Sequence, residues 1–213
     1  MLGGVILKHI AYIGTDIQFT RLQKKDHNLG LVFLNLYDLP YADLSAYAGL
    51  IITNFVEEAF LLEHKVILEK YLEEGGVIFS QVENSLPWLP GCGNWVRSSI
   101  PIKDREFRYV EPVHRLFQGI DPYDLNYKKG VKGFLTRGYF DEIPPYAEVL
   151  IVDQENKPIL YIDRHTTNGV IIAGAGTALY HYGLKENSTK YLSEQILNCI
   201  QEEAQKNMEG GNK

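Results

Sequence analysis

One segment constrains the fold more than any other: an amphipathic run from Val56 to Glu74 that meets Gly75-Gly76 and passes at once into Val77-Ile78-Phe79-Ser80. Within the run, Ala59, Leu62, Val66 and Tyr71, with Leu68 and Leu72, form a broad apolar stripe. Glu63, Lys65, Glu69, Glu73 and Glu74 populate the other side. That spacing predicts a single long helix. Glycine accepts the left-handed conformation at a helix C-terminus, so the helix ends at Gly75-Gly76. Val77 to Ser80 then reads as a buried strand.

The flanking segments extend this rhythm. Val5 to Ile13 is rich in β-branched and aromatic residues and predicts a strand that stops at Gly14-Thr15-Asp16. Thr15 or Asp16 can cap the following helix, with Ile17, Phe19 and Leu22 on its buried side. Leu31 to Leu36 predicts a second strand. Tyr37-Asp38-Leu39-Pro40 is turn-like after it, because proline disfavours helix at the preceding residue. Gly49 to Thr53 predicts a third strand, closing on Asn54. Strands and helices in this order predict a flavodoxin-like, doubly wound α/β fold: a mostly parallel sheet with helices on both faces.

From 83 to 146 the pattern breaks. Seven prolines and both tryptophans fall in this stretch. Prolines at that density exclude long helices and central strands, so an irregular, Pro- and aromatic-rich excursion is expected within the same domain. Short strands are expected at Trp95 to Ile102, Glu106 to Val110 and Lys132 to Thr136. Regularity returns with strands at Glu148 to Val152, Pro158 to Ile162 and Val170 to Ala173, and Gln154-Glu155-Asn156-Lys157 reads as a hairpin turn. A last helix begins near Asn187 or Ser188 and runs to about Ala204, with Tyr191, Leu192, Gln195, Ile196, Cys199 and Ile200 facing the core. Residues 1–206 thus read as one domain and 207–213 as a flexible tail.

Charge and cysteine usage exclude several functions. The net charge of −6 repels polyphosphate, and the densest basic cluster is only Lys128, Lys129 and Lys132, so no nucleic-acid partner is expected. Cys92 and Cys199 are far apart and lack metal-ligand spacing, so neither a disulfide nor a metal site is expected. Lys8 and His9 interrupt the first apolar stretch, which reads poorly as a signal peptide, and no apolar run reaches the roughly 20 residues of a membrane span. A cytoplasmic protein is expected, with no membrane partner.

Four strings together resemble the class I glutamine amidotransferase-like superfamily. Tyr47-Ala48-Gly49-Leu50-Ile51-Ile52-Thr53-Asn54 is similar to a strand that precedes a helix in that superfamily. The run Leu68 to Phe79 resembles its helix-Gly-Gly-strand leading to the nucleophile. His114-Arg115-Leu116-Phe117-Gln118-Gly119-Ile120 is similar to a phrase of ThuA-like members and of the trimerisation domains of some β-galactosidases. Gly169-Val170-Ile171-Ile172-Ala173-Gly174 resembles the late strand that carries the histidine of active amidotransferases. The resemblance implies a cysteine flanked by glycines after Ser80, yet the chain reads Gln81-Val82-Glu83-Asn84. It also implies a His-x-Glu pair after the late strand, where Gly174-Ala175-Gly176-Thr177 stands instead. Glutamine hydrolysis by that route is not expected.

Candidate site residues follow from position. Thr15, Asn54, Gln81, Glu83 and Asn84 each follow an expected parallel strand, and His181 follows the last one. The carboxyl ends of such strands form a binding crevice, where these groups would suit a small polar ligand. Thr15 and Asn54 could equally serve only as helix caps. Glu83 and His181 are the weak candidates for an acid/base pair, although a histidine flanked by tyrosines is more often a packing residue. Cys92, between Gly91 and Gly93, is read as an inert loop thiol. Arg137, beside Tyr139 and Phe140, could bind a carboxylate or serve structure. Gly174-Ala175-Gly176 lacks the third glycine of a dinucleotide fingerprint, because Leu179 stands there, and no cofactor is expected.

Three functions fit these readings. The leading one is a non-catalytic or diverged amidotransferase-like domain that binds a small polar ligand or a protein partner. The alternatives are a hydrolase or isomerase acting on a sugar-like molecule through Glu83 and His181, and a structural oligomerisation module. Aromatics make up 12% of residues and favour interfaces, so a homo-oligomer is expected, with Trp88 or Trp95 near the contact.

Overall fold

A computed structural model describes residues 9–20, 22, 30–128 and 130–210. Residues 5–8 of the first expected strand lie outside these. The first half of the chain follows β1 (His9–Gly14), α1 (Asp16–Thr20), β2 (Leu31–Asn35), β3 (Tyr47–Ile52), α2 (Glu58–Glu63), α3 (Lys65–Glu73) and β4 (Val77–Ser80). The middle adds β5 (Asn94–Arg97), β6 (Phe107–Tyr109), α4 (Pro122–Asn126), β7 (Tyr127–Lys128), β8 (Val131–Lys132) and β9 (Gly138–Asp141). The last part is β10 (Glu148–Asp153), β11 (Pro158–Asp163), β12 (Val170–Gly174) and α5 (Leu192–Gly210).

Eight strands form one sheet in the order β2-β1-β3-β4-β12-β11-β10-β6. The first five are mutually parallel, and β11, β10 and β6 continue the sheet antiparallel. The fold is the expected α/β type with a mostly parallel sheet. Every described residue of β4 and β12 is buried, so both faces of the centre are covered. Helix α5 lies on one face, close enough that a Cβ at Gly49 of β3 would run into Ile200. The hairpin between β10 and β11 matches its sequence signal. Asp153 Oδ1 accepts from the backbone N–H of Glu155 and of Lys157, each at 2.9 Å, and Asn156 takes the left-handed φ of 66°.

The long helix expected from Val56 to Glu74 is instead two, broken at His64. The Phe60 carbonyl still accepts the His64 N–H at 3.1 Å, with the His64 Nδ1 3.0 Å from the same oxygen and its ring stacked on Phe60, but His64 itself leaves the helical conformation at φ −106° and ψ 16°. The break re-phases the apolar face. Leu61, Leu68, Tyr71 and Leu72 are buried, whereas Ala59 and Val66 of the expected stripe point to solvent. The glycine stop holds: Gly75 has φ 87°, and the Tyr71 ring covers Gly76 so closely that a Cβ there would clash.

Other departures have equally local causes. In α1, Phe19 is buried but Ile17 is exposed, because five residues expose more than one side of so short a helix. Within the excursion β6 falls inside its expected strand and joins the edge of the main sheet, whereas β5 begins one residue early at Asn94 and stops at Arg97, well short of the expected Ile102. Lys132 to Thr136 is not a strand beyond Lys132. Gly133, at φ 79°, turns the chain, and the strand lies at β9, where Gly138 admits the Trp95 ring of β5 against its backbone. Trp88 is wholly buried, so it does not stand at a surface contact; Trp95 is half-buried. At the end of the chain Asn187 caps a short 3-10 turn, as its sequence implies. Tyr191 points outward, and α5 continues past Ala204 to Gly210, with Asn207 Nδ2 donating to the Gly75 carbonyl at 3.1 Å. Residues 207–210 of the expected flexible tail are therefore helical.

Helix α5 is fastened at the opposite end of the sheet from the strand C-termini. Buried Glu203 accepts from Arg164 Nε at 2.8 Å and Nη2 at 3.1 Å and from Lys206 at 3.0 Å, and Arg115 Nη2 lies 3.8 Å away. Burial alone would raise the Glu203 pKa, but the hydrogen bonds from Arg164 and Lys206 outweigh it and hold the carboxyl near 2. The lowered pKa means that its stabilisation is complete above the ordinary value of 4.5 and is lost as pH falls toward 2. Glu203→Ala should cost about 3 kcal/mol, since it leaves Arg164 without its main partner. Glu203→Gln should flatten the fall of the urea midpoint across that acid window; a fall as steep as in the parent protein would show that Glu203 is not responsible.

Candidate functional site

Strands buried on both faces can carry polar groups only at their ends, and the C-terminal ends of β1, β3, β4 and β12 carry a continuous set. After β1, the Thr15 N–H donates to Gln18 Oε1 at 2.7 Å and its hydroxyl donates to the same oxygen at 3.2 Å. This is half of a capping box, with the glutamine reaching back to the cap residue. Gln18 Nε2 then donates to the Asn54 carbonyl at 2.6 Å, so one side chain bolts the β1 loop to the β3 loop. Gly14 leaves room for it: a Cβ there would lie 2.6 Å from Gln18 Oε1. The boundary between β1 and β3 is where the strand order reverses, the place a doubly wound sheet opens its crevice.

From Asn54 the network divides. Asn54 Nδ2 donates to the Gly176 carbonyl at 3.4 Å, and Arg137 Nη2 donates to the same carbonyl at 2.7 Å. The same guanidinium nitrogen is ion-paired with Glu83 Oε1. The Glu83 stem packs on bare Gly176, whose φ of 78° suits glycine and where a Cβ would clash with Glu83. In the other direction Thr53 Oγ1 donates to Asn54 Oδ1 at 3.5 Å and accepts from the Tyr12 hydroxyl at 2.9 Å. The Tyr12 hydroxyl lies 3.1 Å from His181 Nε2. With Tyr12 donating to Thr53, the consistent assignment places a proton on His181 Nε2.

The structure thus brings Asn54, Glu83 and Arg137 together at Gly176, with Thr15 attached through Gln18. Glu83 and His181 stand at opposite ends of one chain of hydrogen bonds, each with a different partner, and do not form a direct acid/base pair. Asn84 turns away from this set: it is buried and its Oδ1 accepts from Ser80 Oγ at 3.5 Å. Gln81 is fully buried. Its Oε1 accepts from the Tyr180 N–H at 3.4 Å, and its Nε2 has no partner among the described residues. Phe55 and Gln18 were not legible as site residues. Phe55 lies over the Arg137 guanidinium at 5.1 Å with φ 61°, and no residue type announces a left-handed phenylalanine.

The segment after β4 is firmly positioned. Glu58, in the first turn of α2, accepts from Ser85 N–H at 2.9 Å, Ser85 Oγ at 2.7 Å, Leu86 N–H at 3.0 Å and Trp88 Nε1 at 3.2 Å. None of Gln81, Val82, Glu83 and Asn84 has a positive φ. A nucleophile elbow needs a tight, strained turn with an exposed nucleophile at its tip, and neither is present here. Cys92 lies beyond, half-buried. Burial pushes its thiol up to about 12, despite the Tyr161 hydroxyl beside it, so it stays protonated near neutrality. Among the described residues, no cluster of His, Cys, Asp and Glu could hold a metal ion, and no helix is long and apolar enough to cross a membrane.

No protein-family model matches the chain, and no curated protein sequence matches it significantly. Among solved structures, a GMP synthase-type protein from Thermoplasma acidophilum superposes with a TM-score of 0.56 at 12% identity, covering 97% of this chain and 98% of that one. A glutamine amidotransferase from Thermotoga maritima aligns at 10% identity over 94% of this chain and 91% of its own, with a TM-score of 0.47, too low to add to the comparison. The first likeness shows that the chain shares the fold of that GMP synthase-type protein nearly end to end.

A direct consequence concerns the thiols. With Cys92 raised from 9.0 to about 12, its labelling by Ellman's reagent at pH 8 should be about a hundredfold or more slower than that of an exposed thiol. The pKa of buried Cys199 is also raised by burial, and its labelling should be slower than that of an exposed thiol. Both should react fully in denaturant. Fast native labelling that Cys92→Ser removes would contradict this assignment.

Proposed function

We propose that this chain is a diverged member of the glutamine amidotransferase-like superfamily that does not hydrolyse glutamine and binds a small polar ligand at the C-terminal ends of its parallel strands. One observation carries the reading. The turn after β4, where the superfamily's nucleophile belongs, has neither thiol nor strained backbone, while the strand ends beside it hold amide, carboxylate and guanidinium groups. The shared fold supports the superfamily, and the likeness of His114 to Ile120 to the ThuA-like phrase supports that branch of it. In this chain His114 Nδ1 accepts from the Leu116 N–H at 3.2 Å, so that histidine caps a turn. Two unpaired cysteines fit a cytoplasmic protein.

The sugar hydrolase or isomerase loses its support, because Glu83 faces Arg137 and His181 faces Tyr12. The oligomerisation reading keeps one: Tyr37, Tyr41, Phe55, Tyr123, Tyr146 and Tyr191 are exposed. Homo-oligomerisation is therefore retained as a second reading, and it does not involve Trp88.

Two measurements test the proposal. Incubation with glutamine should release no ammonia above background, and Cys92→Ser should change nothing; glutaminase activity abolished by Cys92→Ser would overturn the reading. A fragment screen by thermal shift should find polar ligands whose shifts collapse in Asn54→Ala, which severs the link between the β3 loop and Gly176. Hits that keep their full shift in this variant, and in His181→Ala, would place the site elsewhere.

A further inference from the structure

Arg137 stands over the ends of β3, β4 and β12 in an unbalanced state. Its Nη2 serves both the Gly176 carbonyl and Glu83, while its Nε is buried and has no acceptor among the described residues. The neighbouring Thr136 hydroxyl is buried and unpartnered in the same way, and so is Nε2 of Gln81, two residues before Glu83. A buried donor without an acceptor is costly, and native proteins keep few of them. Arg137 Nε and Gln81 Nε2 are thus two donors without acceptors among the described residues.

Phe55 adds a second sign. A bulky residue at φ 61° is strained, and this one is also 71% exposed, with its ring over the Arg137 guanidinium. Strain of this kind persists where the surroundings enforce it, most often at ligand sites. The ring keeps a large open surface beside the guanidinium.

We propose that Arg137 anchors a subsite for the carboxylate of a small monoanionic ligand, that Phe55 walls an adjoining flat apolar group, and that Glu83 holds the place of that carboxylate until the ligand arrives. This rests on the reading of the strand ends as a binding crevice. The Glu83 and Arg137 side chains are 34% and 24% exposed, and ion pairs open to water are weak, so an incoming carboxylate exchanges for Glu83 at little cost. Guanidinium presents a planar fork that fits a carboxylate with two parallel hydrogen bonds, which also gives Nε its acceptor. Charge decides between anions. A monoanion replaces Glu83 one for one, whereas a dianion meets the displaced Glu83 nearby and the net charge of −6 beyond it.

The test uses benzoate, its neutral isostere benzamide and inorganic phosphate in NMR titrations of the full chain. Benzoate should shift the amides of Phe55, Arg137 and Gly176, with benzamide about tenfold weaker or more, as for loss of a charge-assisted pair. Phosphate should bind more weakly than benzoate. Glu83→Gln should tighten benzoate by about two- to fivefold, the weight of a partly exposed ion pair. Arg137→Gln should abolish binding. Because Glu83→Gln is expected to gain affinity, its effect cannot come from misfolding. Equal binding of benzoate and benzamide, tighter binding of phosphate, or weaker binding of benzoate to Glu83→Gln would overturn the subsite. Neutral ligands that shift the same amides while benzoate is silent would overturn the carboxylate assignment and leave the crevice reading standing. Ligands that bind but leave these amides unmoved would overturn both.

Discussion

Burial of the central strands on both faces is the constraint from which the rest follows. Strands β3, β4 and β12 lie against one another with their apolar side chains out of water, and α5 sits so close that only glycine fits at position 49. A polar side chain in their middle would forfeit its hydration, so polar chemistry is pushed to the strand ends. Thr53, Gln81 and Thr177 are each the first polar groups beyond such a strand, and all three are buried. Buried polar groups must then find partners: Thr53 meets the Tyr12 hydroxyl, Gln81 the Tyr180 N–H and Thr177 the Phe134 carbonyl.

The Gly176 carbonyl is where these demands meet. Asn54 arrives from β3, Arg137 from the excursion, and the Glu83 stem from β4, all converging on a glycine that could carry no side chain. Trp95 Nε1 caps the preceding carbonyl, that of Ala175, at 3.3 Å. The excursion therefore contributes Arg137 and Trp95 to the strand ends as well as an edge strand to the sheet. Arg137 thus lies beside the segment Gln81 to Asn84 that follows β4, paired there with Glu83.

Two charged clusters contrast in what burial does to them. At the far end of α5, Glu203 is sealed and served by several donors, so its charge is locked and its role is structural. At the strand ends, the Glu83 and Arg137 side chains stay partly open to water, and Arg137 Nε is left without an acceptor among the described residues.

The strands, the Gly75-Gly76 stop, the hairpin at Gln154 to Lys157 and the Asn187 cap were legible in the residues, because each depends on side chains within a few positions of one another. The parallel architecture followed from their order, and the absence of a thiol after Ser80 needed no coordinates. The break at His64 was not legible, since no residue type there marks the departure of His64 from helical backbone. Nor was the strand at Gly138, whose glycine reads as a breaker until the Trp95 ring is seen lying against it. The site divides along the same line. Thr15, Asn54 and Glu83 could be placed at the strand ends from sequence, but Arg137 remained ambiguous, Phe55 and Gln18 gave no signal, and Glu83 and His181 looked like partners until each was found with another. Position along a strand is a local property of the chain. Which donor meets which acceptor depends on contacts between residues as far apart as 169 positions, as for Tyr12 and His181, and only the packed structure decides those.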